Sequence, residues 1–140
     1  MRLQGDLLGV DLGMRRTGVA RLNTIARISE PLREIDMDKE DFYDAISLLV
    51  SEHEAVGVVV GLPRGLDGQE TAQTAWTRDI IDSLTDFLSV PVFFTDEAGT
   101  TKVAEQRSKT GDSVDSVAAG VILEDFATQI MQGKIEDVTF

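Results

Sequence analysis

From Leu7 onward the chain reads as short apolar runs separated by turn residues. Leu7 to Asp11 is apolar until it closes on an acid, and Leu12-Gly13 follows, the pattern of a buried strand entering a turn. Gly18 to Leu22 and Thr24 to Ile28 read as two further strands, near enough in sequence to form a meander with the first. Beyond Asp38, a suitable N-cap, apolar residues recur at Phe42, Ala45, Ile46, Leu49 and Val50, which is helical spacing. Val56 to Gly61 is almost continuously apolar and β-branched, as a strand buried on both faces should be; Pro63 ends it and Asp67-Gly68 adds a turn. Ala72, Trp76, Ile80, Leu84 and Leu88 fall four apart and predict a long second helix with Trp76 in the core. Val90 to Thr95 is a last strand, ending at Asp96-Glu97. Thr100 to Arg107 predicts a short helix that Gly111 stops, and Ser113 caps a final helix carrying Val114, Val117, Ala118, Val121 and Ile122, extended by Phe126 and Ile130. The tail after Gly133 is polar and is expected to be loose.

The order is three strands, helix, strand, helix, strand, helix, helix. It predicts an α/β domain with a mixed five-stranded sheet: an antiparallel three-strand meander plus two parallel strands, with helices on both faces. Its 140 residues suit one domain spanning 1–140, with a core over about 6–131.

Hydrophobic residues make up 42% and charged residues 27%, the balance of an ordinary globular chain. The absence of cysteine excludes disulfides, zinc–thiolate centres and cysteine nucleophiles. No apolar run is long enough to span a bilayer and no signal-peptide pattern opens the chain, so a cytoplasmic protein with no membrane association is expected. The net charge of −12 opposes nucleic-acid binding, which normally uses a basic surface. Its distribution is uneven. Asp36 to Glu54 holds seven acids against Lys39 alone, whereas Arg15, Arg16, Arg64, Lys102, Arg107 and Lys109 fall in or beside predicted loops. Such a chain could present a basic side to a polyanion.

Three acids hold special positions on this map. Asp11 closes the first strand, Glu97 closes the last, and Asp115 lies in the first turn of the final helix. Sites in open α/β sheets form beyond the carboxyl ends of strands, so the three could converge. Hard divalent cations favour carboxylate oxygens and assist phosphodiester hydrolysis. Each acid alone also has a structural reading, as a turn residue, a surface acid or a partner of the helix dipole.

Four ordered segments carry a resemblance to a known family. Leu8-Gly9-Val10-Asp11-Leu12-Gly13-Met14-Arg15-Arg16-Thr17-Gly18-Val19-Ala20 resembles an Asp-x-Gly-Thr-Lys strand followed by Gly-Val-Ala. Val58-Val59-Val60-Gly61-Leu62-Pro63 with Asp67-Gly68 resembles a Val-Gly-Leu-Pro motif and its turn. Thr95-Asp96-Glu97-Ala98-Gly99-Thr100-Thr101 is similar to Asp-Glu-Arg-Leu-Thr-Thr, and Val114-Asp115-Ser116-Val117-Ala118-Ala119 to a Val-Asp-x-x-Ala-Ala helix. Together these resemble the YqgF (RuvX) family of RuvC-like proteins, whose members are described as Holliday-junction resolvases and as the nuclease of pre-16S rRNA. The resemblance implies an RNase H-like fold and a metal-dependent endonuclease. Asp11, Glu97 and Asp115 stand at its acidic triad and would hold Mg²⁺ or Mn²⁺. Precursor rRNA is the favoured partner and branched DNA the other, with a monomer or weak homodimer expected. Ala98-Gly99 replaces Arg-Leu, Met14 replaces threonine, and the segment Arg107 to Ser113 is short for the family.

Around the triad, Arg15, Arg16 and Lys102 are expected to position the nucleic-acid backbone. Arg64 would point at substrate from the Gly61–Gly65 turn, and Thr100 and Thr101 would cap the short helix and orient Glu97. His53 sits at a helix end among acids and is not expected to be catalytic. Two other readings remain: a non-catalytic member that binds RNA or protein, and an ATP-using relative of the sugar-kinase fold. The latter needs a second domain to close its cleft.

Overall fold

The structure, a computed structural model, describes residues 1–96 and 114–140. The expected short helix at Thr100–Arg107 and the Ser113 cap lie outside the described residues. Five strands, β1 (Asp6–Asp11), β2 (Arg16–Asn23), β3 (Ile28–Asp36), β4 (Gly57–Leu62) and β5 (Val92–Asp96), form one sheet in the order β3-β2-β1-β4-β5. β1, β2 and β3 pair antiparallel, and β4 and β5 add parallel to β1. The mixed sheet with its meander is as the sequence predicts.

Period-two alternation divides the side chains between two layers. Leu8, Val10, Val19, Ile35, Val58, Val60 and Leu62 face α1 (Phe42–Glu52) and α2 (Ala72–Phe87). Leu7, Ala20, Leu22 and Val59 face α3 (Val114–Met131), meeting Ala119, Ile122, Leu123 and Phe126. β1 and β4 lie inside the sheet with a helix layer on each side, so both are apolar along nearly their whole length. No helix among the described residues is long and apolar enough to cross a membrane.

The third strand corrects the sequence reading. Thr24 to Arg27 is a turn: Asn23 Oδ1 accepts the amides of Ile25 and Ala26, and Arg27 takes a positive φ of 59°. The strand begins only at Ile28 and runs along the sheet edge, where Ile35 is its one buried residue. The edge also accommodates Pro31, which has no amide to donate. Pairing passes from Val19–Arg33 to Ala20–Pro31, so Leu32 is an extra, bulged residue.

The helix starts also differ in detail. Asp41, not Asp38, caps α1 by accepting the Asp44 amide; Asp38 instead donates its own amide to Asp36. In α2 the buried positions are Thr74, Thr77, Ile81 and Leu84, and Trp76 is only half-buried against the core. Two threonines can turn inward because each hydroxyl is bonded: Thr74 donates to the Pro63 carbonyl at 2.6 Å and Thr77 to Gln73 at 2.9 Å. The C-terminal tail is docked. Val138 is buried, and Thr139 exchanges backbone hydrogen bonds with Met1 and Leu3.

Candidate active site

Asp11 ends β1 directly opposite Gly18 of β2, and Gly18 lies opposite Glu34 of β3. Directly opposed residues share a sheet face, so Asp11 and Glu34 flank a glycine on the face that α3 covers. Gly18 leaves a gap that the first turn of α3 fills. A Cβ built there would stand 2.0 Å from the carbonyl carbon and oxygen of Asp115 and 2.4 Å from the Ser116 nitrogen. Gly9, two residues back on β1, receives the helix in the same way: a Cβ there would lie 2.6 Å from the Ala119 oxygen and from Leu123 Cγ. The two glycines form the seat of α3, and that seat sets Asp115 beside the end of β1. Asp115 is thus seated against Gly18, the residue that Asp11 faces across the β1–β2 pair.

Burial raises the Asp115 carboxyl above its ordinary range, and the negative charge of Glu34 and a hydrogen bond with it add to the rise; Arg16 opposes it. Glu34 is a site residue that the sequence does not announce. No motif contains it, and only the pairing register carries it to Gly18. Arg16 opens β2, and its Nη1 lies 3.8 Å from Glu34 Oε1 with the guanidinium largely exposed. Arg15 joins Arg16, Asp36 and Asp38 around a shallow cleft, and its carbonyl accepts the Met37 amide at 2.8 Å. That bond fastens the β1–β2 loop to the end of β3.

Arg64 takes another course. Its Nε donates to Asp96 Oδ1 at 3.0 Å, which folds the side chain against the end of β5, one residue before Glu97. Glu97, Thr100, Thr101 and Lys102 lie outside the described residues. His53 caps α1 through its backbone amide, and α1 packs on the opposite sheet face from α3.

Among the described residues no group of three or more acids or histidines stands close enough to hold a metal ion. The chemistry of Asp11 and Asp115 nonetheless suits a hard divalent cation. Two carboxylates from separate elements offer oxygen donors, and a carboxyl burdened by burial and by a like-charged neighbour is relieved by a cation. A third donor at Glu97 would follow Asp96 at the end of β5.

A meander extended by two parallel strands, with a C-terminal helix seated across the meander, defines an RNase H-like α/β fold. Thermus thermophilus RuvC, solved in complex with a Holliday junction substrate, shares this fold at a TM-score of 0.60 and 13% sequence identity, over 91% of this chain and 96% of that one. The RuvX family, described as Holliday junction resolvase, matches residues 5–129, and the chain belongs to that family. Relatives named as candidate nucleases of pre-16S rRNA occur in several bacteria. The protein of Orientia tsutsugamushi is 31% identical, over 94% of this chain and 89% of its own. That of Cereibacter sphaeroides is 37% identical, over 86% and 81%, and that of Chloroflexus aggregans 37%, over 86% and 91%.

Proposed function

We propose that this chain is a cytoplasmic endonuclease that hydrolyses phosphodiester bonds of structured nucleic acid, with precursor 16S rRNA as its substrate. The observation that carries this reading is the seating of the Asp115 backbone against Gly18, the β2 residue paired with Asp11 at the carboxyl end of β1. Asp11, Asp115 and Glu97 would hold Mg²⁺ or Mn²⁺, which when bound supplies a Lewis acid for the phosphate and lowers the pKa of an attacking water. The protein contributes rigidity and charge. Asp11 rides on a strand paired on both sides, and Asp115 on a helix seated by two glycines. Arg15 and Arg16 would meet phosphate oxygens, which a guanidinium can do through a two-toothed fork. Asp36 and Asp38 share the cleft of these arginines, and the rest of the acid-rich segment, from Asp41 onward, runs into α1.

Pre-16S rRNA is preferred because the curated relatives carry that name, and a four-way DNA junction is the second reading because the family description carries that one. The test is cleavage of a pre-16S rRNA fragment and of a four-way junction, each with and without Mg²⁺ or Mn²⁺. Wild type should cut the RNA only with the cation, and Asp11→Asn should be inactive while keeping its circular dichroism. Preferential cutting of the junction would transfer the assignment to DNA. Equal activity in wild type and Asp11→Asn would refute the mechanism.

A further inference from the structure

Glu34 stands outside the expected acidic triad yet touches both kinds of charge in the site. It shares the sheet face of Asp11 and lies opposite Gly18, and its charge raises the Asp115 carboxyl. It is also the ion-pair partner of Arg16. The two partners are unequally held: the Glu34 side chain is 28% exposed on its strand, whereas Arg16 is 66% exposed at the mouth of the site. Their contact of 3.8 Å is longer than a hydrogen bond. Arg16 is therefore retained by charge, without the forked geometry a guanidinium forms with a well-placed oxyanion.

We propose that Glu34 sets the substrate affinity of the site by competing with nucleic-acid phosphate for Arg16. In the free protein Arg16 leans toward Glu34. On binding, the guanidinium exchanges this loose partner for a phosphate oxygen, and the Glu34 charge is left beside Asp115. Exposed ion pairs of this kind are worth little, so the exchange costs little and Glu34 moderates binding without preventing it. The inference rests on the nuclease reading above.

The test measures binding of a labelled pre-16S rRNA fragment by fluorescence anisotropy in EDTA, which keeps cleavage out of the readout. Glu34→Gln should bind roughly threefold to fivefold more tightly than wild type, the scale of one exposed ion pair. Glu30→Gln is the charge control. It makes the same change on the same strand, but Glu30 pairs with Arg21, near the hairpin end of β3. The control should tighten binding much less, and in an Arg16→Ala background the Glu34→Gln gain should shrink to the size of the control. Equal tightening by Glu30→Gln and Glu34→Gln, persistence of the gain without Arg16, or weaker binding by Glu34→Gln would overturn the proposal. If wild type binds and cuts RNA but Glu34→Gln is unchanged, only this inference fails. If no variant binds nucleic acid, the nuclease reading fails with it.

Discussion

Gly18→Ala is expected to cost about 3 kcal/mol of stability, a Tm loss on the order of 10 °C, and to slow cleavage about a hundredfold in the molecules that stay folded. The added methyl would lie 2.0 Å from the Asp115 carbonyl carbon and oxygen, well inside contact distance. Those atoms are backbone, so no side-chain rotation relieves the overlap, and the first turn of α3 must lift from the sheet. Lifting it moves Asp115 away from Asp11, which is why activity should fall further than stability alone explains. Gly120→Ala is the informative contrast within the same helix. A Cβ there meets only Ser29 Oγ at 3.7 Å and Ala20 Cβ at 3.9 Å, ordinary contacts, and alanine is the better helix former by about 1 kcal/mol. Thermal unfolding and single-turnover cleavage of both variants check this. A Gly18→Ala protein with wild-type Tm and rate would show that α3 is not seated through Gly18.

How much of this was legible in the chain depends on burial. β1 and β4 announce themselves because helices cover both of their faces, and nearly every residue answers to that environment. β3 does not, because an edge strand with one buried residue carries almost no hydrophobic pattern. The face of α2 was rotated for a related reason: Thr74 and Thr77 are buried by hydrogen bonding, which an apolar stripe cannot register. In the site, Asp11 and Asp115 are legible through motif and position, whereas Glu34 is not. Counting regularly from the Asn23–Ile28 pair would set Arg33 opposite Gly18 and turn Glu34 to the other face. The extra residue at Leu32 shifts the register by one and brings Glu34 opposite Gly18, beside Asp115. A bulge on a polar edge strand leaves no sequence signal, yet here it decides which charge faces Asp115.

Asp115→Asn should lose at least about a hundredfold in cleavage, since even outer partners of metal sites count on that scale, and it should at the same time stabilise the cation-free protein. The sign follows from proton linkage. Folding raises the Asp115 carboxyl above its ordinary value of 3.8, so over that interval the folded state binds more protons than the unfolded one. Stability therefore falls as pH rises from the ordinary value through the raised one, and above it the cost of a charged Asp115 beside Glu34 is borne in full. Asparagine keeps the shape without the charge, and its amide can donate to the Glu34 carboxylate. In EDTA the variant should melt a few degrees above wild type at neutral pH, and the advantage should fade below about pH 4, where Asp115 is protonated whether folded or not. Added Mg²⁺ should reverse the order, because a ligand that binds the folded wild type raises its Tm and should leave the variant nearly unmoved. Melting curves across pH, with and without the cation, read all three effects. An Asn variant less stable than wild type at every pH would mean that Asp115 is a structural cap. Equal stabilisation of both proteins by Mg²⁺ would mean that the cation binds elsewhere.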